Sequence, residues 1–228
     1  MRIALFGATG ATGAHFLRLA LEKDHEVVAL VRSPEKIKIE NPKLKIVKCN
    51  IFDQTDLAQH LANSDAVVSC LGGFPKNPET KMTDGYSRSI GPITGAMRTQ
   101  NITRILVMGS WYNNNNGSDA GSGLGGYFLR FFLSSIIGRV LEDMKRMRES
   151  LRKDASDLAW TMVNPPGLTN GPLTDRKMEY EVGDRMDSRK DKGVQRVSRA
   201  DVAKFMLETV EQPLEPSSDM YQAQIAIG

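Results

Sequence analysis

The sequence predicts an α/β fold, a mainly parallel sheet flanked by helices on both faces. Three observations predict it. Short apolar runs recur at 2–6, 27–31, 45–48, 66–71, 105–108 and 158–163, the signature of strands buried on both faces. Helix-like segments stand between most of them, and strands that alternate with helices pair in parallel. The first run passes directly into Gly7-Ala8-Thr9-Gly10-Ala11-Thr12-Gly13 and then into a helix. The 228 residues suffice for one large core. With no repeat or second unit visible, the expectation is a single Rossmann-like domain over 1–228.

The first strand is Arg2-Ile3-Ala4-Leu5-Phe6, and a helix over 14–23 places Phe16, Leu17, Ala20 and Leu21 on one face. Strand, three glycines and helix in this order predict a dinucleotide site. Gly7 permits the turn off the strand, Gly10 lets the backbone approach a pyrophosphate, and Gly13 lets helix and strand pack closely. The pyrophosphate sits at the helix N-terminus, where free N–H groups and the dipole favour anions. Thr9 and Thr12 add hydroxyls, and Ala11 belongs to the same turn. The bland alternative is an ordinary glycine-rich turn.

Val27-Val28-Ala29-Leu30-Val31 is the second strand, ending in Arg32-Ser33-Pro34. An NAD site usually carries an acid here for the ribose 2′-hydroxyl. Arg32, with Ser33 beside it, instead matches a 2′-phosphate, so NADP(H) is the predicted cofactor; the alternative is a solvated loop cation. After a third strand over 45–48, Asn50 is a candidate for an adenine edge, with Ile51 packing on its face, or else a strand-to-helix cap. A short helix over 55–62 follows. The fourth strand, 66–71, ends in Leu71-Gly72-Gly73, where glycines allow close approach to the cofactor's ribose, or form a simple turn. A helix over 82–100 is weakened by Gly85, Gly91, Pro92 and Gly95, which predicts a kink or a late start.

The fifth strand, 105–108, ends in Gly109-Ser110-Trp111-Tyr112. Ser110 falls where a nicotinamide and its acceptor meet and is the candidate catalytic residue, with Trp111 and Tyr112 as candidate pocket walls. A turn or cap serine is the alternative. Residues 113–126 form a polar, Asn- and Gly-rich insert that builds no core and is expected to be mobile. The aromatic stretch 127–137 reads as a lid, an interface or the buried half of a long amphipathic helix running to about 153. A sixth strand, 158–163, leads into Asn164-Pro165-Pro166-Gly167-Leu168. Pro165 completes the cofactor set and Gly167 the substrate set. Ser198 is a plausible N-cap of a late helix, and 222–227 reads as a last edge strand.

Composition narrows the function class. The hydrophobic share is 40%, the charged share 25% and the net charge +3, an ordinary soluble balance with no call for nucleic acid. Lys145, Arg146, Arg148, Arg152 and Lys153 read as a solvated helix face. No apolar run approaches a membrane span, and a strand beginning within two residues of Met1 leaves no room for a signal peptide. The expectation is a cytoplasmic protein, a monomer or weak homo-oligomer, with Cys49 and Cys70 as buried reduced thiols. His15, His25 and His60 show no metal-ligand spacing.

A short-chain dehydrogenase commonly uses Tyr-x-x-x-Lys for proton transfer. Four residues after Tyr86, Tyr112, Tyr127, Tyr180 and Tyr221 stand Ile90, Asn116, Phe131, Asp184 and Ile225, so no such pair exists. Two readings survive: a reductase whose planar acceptor, a flavin or a linear tetrapyrrole, takes its proton from water, and a protein that binds NADP(H) to sense it.

The opening glycine motif, Leu30-Val31-Arg32-Ser33, Ser110, the run 164–174 and Ser198-Arg199-Ala200-Asp201-Val202-Ala203 together resemble the atypical short-chain dehydrogenase/reductase group. The likeness is to its biliverdin and flavin reductase branch, and the opening motif is shared with NmrA-like sensors. The resemblance implies NADPH along Gly10, Thr12, Gly13, Arg32 and the 72–73 turn, with Ser110 in the active site and a flat acceptor over the nicotinamide. It departs at Gly167, where the reductases carry a histidine facing the substrate. Sugar reduction or epimerisation, a third reading, is weakened by the missing tyrosine–lysine pair.

Overall fold

A computed structural model describes residues 1–72, 84–110, 124–183 and 196–228, for 124–137 and 139 as backbone alone. The first strand, β1 (Arg2–Phe6), leads into α1 (Ala11–Glu22), and β2 (Glu26–Val31) runs parallel beside β1. On the same flank lies β3 (Leu44–Lys48). Helix α2 (Gln54–Leu61) returns the chain to the other side of β1, where β4 (Ala66–Ser69) pairs with it, Ile3 opposite Ala66 and Phe6 opposite Ser69. The strand order therefore reverses at β1. Helix α3 (Gly85–Thr99), β5 (Arg104–Met108), α4 (Leu124–Asp154) and β6 (Ala159–Asn164) extend the sheet in parallel.

The C-terminal part departs in detail from expectation. The last strand, β10 (Ala223–Ile227), was expected at an edge, yet it is interior. It pairs in parallel with β6, and the three-residue β8 (Tyr180–Val182) covers its far side antiparallel. The sheet has eight strands in the order β3-β2-β1-β4-β5-β6-β10-β8. Two further short strands, β7 (Gly167–Thr169) and β9 (Arg196–Ser198), pair with one another immediately before α5 (Arg199–Glu211). This is the expected single α/β domain, Rossmann-like, with its mostly parallel sheet flanked by five α-helices.

Alternation along the strands divides the interior in two. Phe6, Val28, Val67, Ile105 and Trp160 pack under α2, α3 and α4, while Leu5, Val27, Val68, Leu106 and Ile225 pack under α1 and α5. Helix α3 begins at Gly85 and continues through Pro92 to Thr99. Its first turn is held from outside the helix. Asp143 of α4, fully buried, accepts from the N–H groups of Tyr86 at 2.8 Å and Ser87 at 3.2 Å and from the Ser87 hydroxyl. The aromatic stretch 127–137 belongs to α4, and 113–123 of the polar insert lies outside the described residues. Both cysteines are free and buried. No helix among the described residues is long and apolar enough to cross a membrane.

Candidate functional site

Reversal of strand order at β1 leaves a crevice at the carboxyl ends of the strands, where open α/β sheets bind ligands. The β1–α1 turn shows how the local sequence builds it. Gly7 has φ +78°, and a Cβ there would stand 2.4 Å from the carbonyl oxygen of Cys70 at the end of β4. A Cβ on Gly13 would stand 2.1 Å from the Gly7 oxygen. Both glycines therefore let backbone meet backbone. Gly10 differs: its nearest neighbour is the Gly7 oxygen at 3.2 Å, and it opens toward the crevice. Gly10 is also the N-cap of α1. It offers no side-chain cap, and the first turn carries no acid. The leading N–H groups of α1 are thus left for a ligand.

The crevice is a cleft of about 700 Å³, within the range of small-molecule and cofactor sites. Of the predicted cofactor residues, Gly7, Thr9, Gly10, Ala11, Thr12, Arg32, Ile51, Leu71, Gly72 and Pro165 line it, together with Ser110 and Gly167. The structure thus brings the β2 end, the α1 N-terminus and the β5 end into one continuous cavity. Gly13 lies beneath the lining in its packing role. Ser33 heads a short 3-10 turn over Pro34–Lys36 and is not part of the lining. Asn50 is exposed and also off the lining. Its carboxamide oxygen accepts from the Phe52 N–H at 3.1 Å and its own N–H donates to Asp56 at 2.8 Å. The structure shows it forming the turn between β3 and α2, which agrees with the strand-to-helix alternative. Gly73, Trp111 and Tyr112 lie outside the described residues.

Residues that the sequence reading did not select also face the cleft. Tyr86, nearly buried in the first turn of α3, holds its phenol oxygen 3.5 Å from where a Gly72 Cβ would stand. Met144 comes from α4 and Arg199 from the start of α5. Tyr86 is followed four residues on by Ile90 in place of a lysine, and no local sequence signal marks it as a cleft residue. Arg199 lay inside the noted Ser198-Arg199-Ala200-Asp201 run, but capping rules drew attention to Ser198. That cap is real: Ser198 Oγ accepts from the Asp201 N–H at 3.0 Å. Asp201 then accepts from the Thr174 N–H at 2.8 Å and the Thr174 hydroxyl at 3.2 Å. With the β7–β9 pairing, these bonds fix the 167–174 loop to α5.

The electrostatics favour an anion. Arg32 and Arg199 line the cleft, and no aspartate or glutamate does so among the described residues. Arg32 is exposed and has no hydrogen bond or ion pair among the described residues. Cys70 is part of the wall, but burial pushes its thiol up to about 12, so it is not a nucleophile at neutral pH. Behind the lining, the Asn164 side chain is fully buried and neither of its carboxamide atoms has a hydrogen-bond partner among the described residues. It fills the space beside Gly109, where a Cβ would stand 2.2 Å from its oxygen. No cluster of His, Cys, Asp or Glu able to hold a metal occurs among the described residues.

This geometry agrees with what the chain is similar to. The Bacillus subtilis (strain 168) protein YwnB, itself uncharacterized, is 24% identical over 222 residues, covering 93% of each chain. Solved structures of similar fold include SP1627 from Streptococcus pneumoniae TIGR4, described as a "putative NADH-flavin reductase". Its TM-score is 0.73 at 20% identity, covering 100% of this chain and 98% of that one. A short-chain dehydrogenase/reductase from Veillonella parvula DSM 2008, solved in complex with NADP, has a TM-score of 0.68 at 16% identity. That match covers 100% of this chain and 94% of the other. The family model described as NAD(P)H-binding matches residues 7–213, and the chain belongs to that family.

Proposed function

We propose that the chain is an NADPH-dependent reductase that passes hydride to a flat conjugated acceptor of the flavin or biliverdin type. One observation carries the reading. A single cleft runs from Arg32, past the uncapped start of α1, to Ser110, with two arginines and no carboxylate on its described walls. A dinucleotide carrying a diphosphate and a 2′-phosphate matches that length and sign. Gly10, Ala11 and Thr12 would hold the diphosphate, Arg32 the 2′-phosphate, and Leu71 and Gly72 the ribose. The bound nicotinamide would supply the hydride. The chain's own part is to orient the acceptor through the Ser110 hydroxyl against the walls at Met144 and Gly167. A small planar acceptor is the proposed partner, and the name of SP1627 supports the flavin class.

A non-catalytic NADP(H) sensor of the NmrA-like type is the second reading. It is favoured by the lack of any lysine, histidine or carboxylic acid on the described walls that would supply a proton at neutral pH. The test is NADPH oxidation by the purified protein with FMN, riboflavin and biliverdin offered in turn, each beside an NADH control. Acceptor-dependent oxidation that prefers NADPH is the expected result. Ser110→Ala should then lower kcat and leave NADPH affinity unchanged, while Arg32→Glu should weaken NADPH far more than NADH. Tight NADPH binding with no oxidation of any acceptor moves the conclusion to the sensor.

A further inference from the structure

Arg199 is one of the two arginines of the cleft, but the reading so far assigns it no group of the cofactor. It is the first residue of α5, half-buried, and it lines the cleft together with Thr9, Gly10 and Ala11. Helix α5 packs along α1 on the same face of the sheet, and Lys23 and His25 just past the end of α1 bind Glu211 at the end of α5, so the helices run parallel and their starts lie side by side. The guanidinium is tethered: Nη1 donates to the Asn170 carboxamide oxygen at 2.6 Å. That bond occupies one of five N–H donors, and the others have no partner among the described residues. Asn170 stands in the 167–174 loop that is itself pinned to α5 through Asp201 and Thr174.

We propose that Arg199 is the second anchor of the dinucleotide, a guanidinium that binds the diphosphate from the side opposite the α1 N-terminus. The inference rests on the NAD(P)H reading above and adds which group of the cofactor this side chain recognises.

Topology separates the two arginines. Arg32 closes β2, on the β3 side of β1. Arg199 is joined to the loop after β6, on the other side of β1, with the glycine turn between them. A dinucleotide lying across the carboxyl ends of the strands puts its adenosine ribose over β2 and its diphosphate over β1. Arg32 is therefore matched to the 2′-phosphate and Arg199 to the diphosphate. The diphosphate carries two negative charges, whereas the start of α1 supplies the equivalent of roughly half a positive charge. A planar fork held at one corner by Asn170 suits two phosphate oxygens at once. His15, in the second turn of α1, reports the same proximity. Burial first, and then the charges of Arg18 and Arg199, push its imidazole below the ordinary value.

Binding of four ligands separates the roles: NADPH, NADH, ADP-ribose, and adenosine 2′,5′-bisphosphate, which has the 2′-phosphate but no diphosphate. Arg199→Gln should weaken NADPH, NADH and ADP-ribose alike, by about 10- to 100-fold as expected for lost charge-assisted hydrogen bonds. It should leave adenosine 2′,5′-bisphosphate within about two-fold. Arg32→Glu should do the reverse, sparing NADH and ADP-ribose. Arg199→Lys keeps the charge without the fork and should recover part of the loss, which guards against a glutamine variant that folds poorly. The proposal is overturned if Arg199→Gln leaves ADP-ribose affinity unchanged, or if it weakens adenosine 2′,5′-bisphosphate equally. A rise in KM for an acceptor with dinucleotide affinity unchanged also overturns it, in favour of an acceptor contact. A wild-type protein that binds none of the four fails the cofactor reading itself, an outcome distinct from any of these.

Discussion

Three glycines in one turn offer a graded test, because the structure gives a different reason for each. At Gly13 an added methyl would meet the Gly7 carbonyl oxygen at 2.1 Å, its carbon at 2.7 Å and the Ala8 Cα at 3.2 Å. The first of these is more than an ångström short of ordinary contact. Every obstacle is backbone, so no rotamer change relieves it. The Gly7 oxygen also accepts the Gly10 N–H at 2.9 Å, so moving it disturbs the turn that shapes the site. Overpacking of this kind costs about 1–3 kcal/mol. In a chain of 228 residues each kcal/mol shifts Tm by about 2–4 °C, so Gly13→Ala should melt about 2–12 °C lower. Gly7→Ala meets Cys70 backbone at 2.4 Å and adds about 1–2 kcal/mol for a side chain at positive φ. Gly10→Ala is different in kind. Its methyl meets the Gly7 oxygen at 3.2 Å and the Cys70 oxygen only at 3.9 Å, so Tm should move by no more than about 2 °C, while NADPH affinity should fall if the diphosphate approaches here as proposed. Gly138→Ala is the control. It lies within α4 with nothing inside 4 Å and should gain about 0.5–1 kcal/mol. Thermal melts of the free proteins, with NADPH titrations of each, check all four. If Gly13→Ala melts with the parent, or Gly10→Ala loses stability but keeps its affinity, the account of the turn is wrong.

Removing the Asp143 carboxylate leaves the buried Tyr86 N–H and the half-buried Ser87 N–H without an acceptor. Asp143→Ala should cost about 2–4 kcal/mol in urea unfolding, and an unchanged midpoint would show that α3 does not depend on this bond. Burial pushes both Cys49 and Cys70 up to about 12, with the Asp56 charge adding to the effect at Cys49. Native protein should therefore show almost no reaction with a disulfide reagent at neutral pH and release both thiols on unfolding; fast labelling of either in the native state contradicts the buried placement. Burial alone would raise the Glu211 carboxyl, but Lys23 Nζ and His25 Nε2, each 2.7 Å away, outweigh it and hold it below its usual range. A depressed carboxylate stabilises fully above its unfolded value and loses that contribution as pH falls through the folded one. Glu211→Gln should thus be less stable than wild type near neutrality, with the gap closing below about pH 4. A gap constant from pH 3 to 7 would count against the bridge.

What was legible in the chain followed from periodicity and from glycine chemistry. The central strands are continuous apolar runs because they are covered on both faces, and their boundaries fall within a residue or two of expectation. The motif reads a turn at Gly7 and close packing at Gly13, and backbone stands within 2.4 Å and 2.1 Å of where a Cβ would be at the two positions. What was not legible depends on partners distant in sequence. The strand at 223–227 was expected at an edge because Tyr180–Val182 is too short to register as a strand, lying next to the charged stretch 175–179. Of the two roles open to Asn50, an adenine contact or a strand-to-helix cap, the structure shows the local one: its oxygen accepts the N–H two residues on. Tyr86 and Arg199 carry no local signature of a cleft. Tyr86 enters it because Asp143, on another helix, fixes the start of α3. Arg199 enters because α5 lies against α1.

Helix starts carry the final argument. Asp53 accepts from the N–H groups of Thr55 and Asp56 at the start of α2. Asp143 serves α3 from a neighbouring helix, and Ser198 serves α5. A side-chain cap contributes about 1 kcal/mol, and the fold takes that gain at each of these helices. Helix α1 is the exception among the helices whose first turns are described with side chains: Gly10 caps nothing, and no acid stands in the first turn. Two further unmet groups stand at the same edge of the sheet, while Arg2 Nε, Ser64 Oγ and two nitrogens of Arg104 are buried atoms without a partner at the amino ends of the strands among the described residues. Among the described residues, buried Asn164 has neither carboxamide atom bonded and exposed Arg32 has no partner. An orphaned buried polar group costs about 1–3 kcal/mol, so a sequence shaped for stability alone would have capped α1 and made position 164 apolar. What sets the carboxyl edge apart is that an uncapped helix start and two arginines meet there around one open cleft, which marks that edge as the place where a ligand completes the structure. The signs of the unmet groups, N–H donors and guanidinium cations, say that the ligand is an anion.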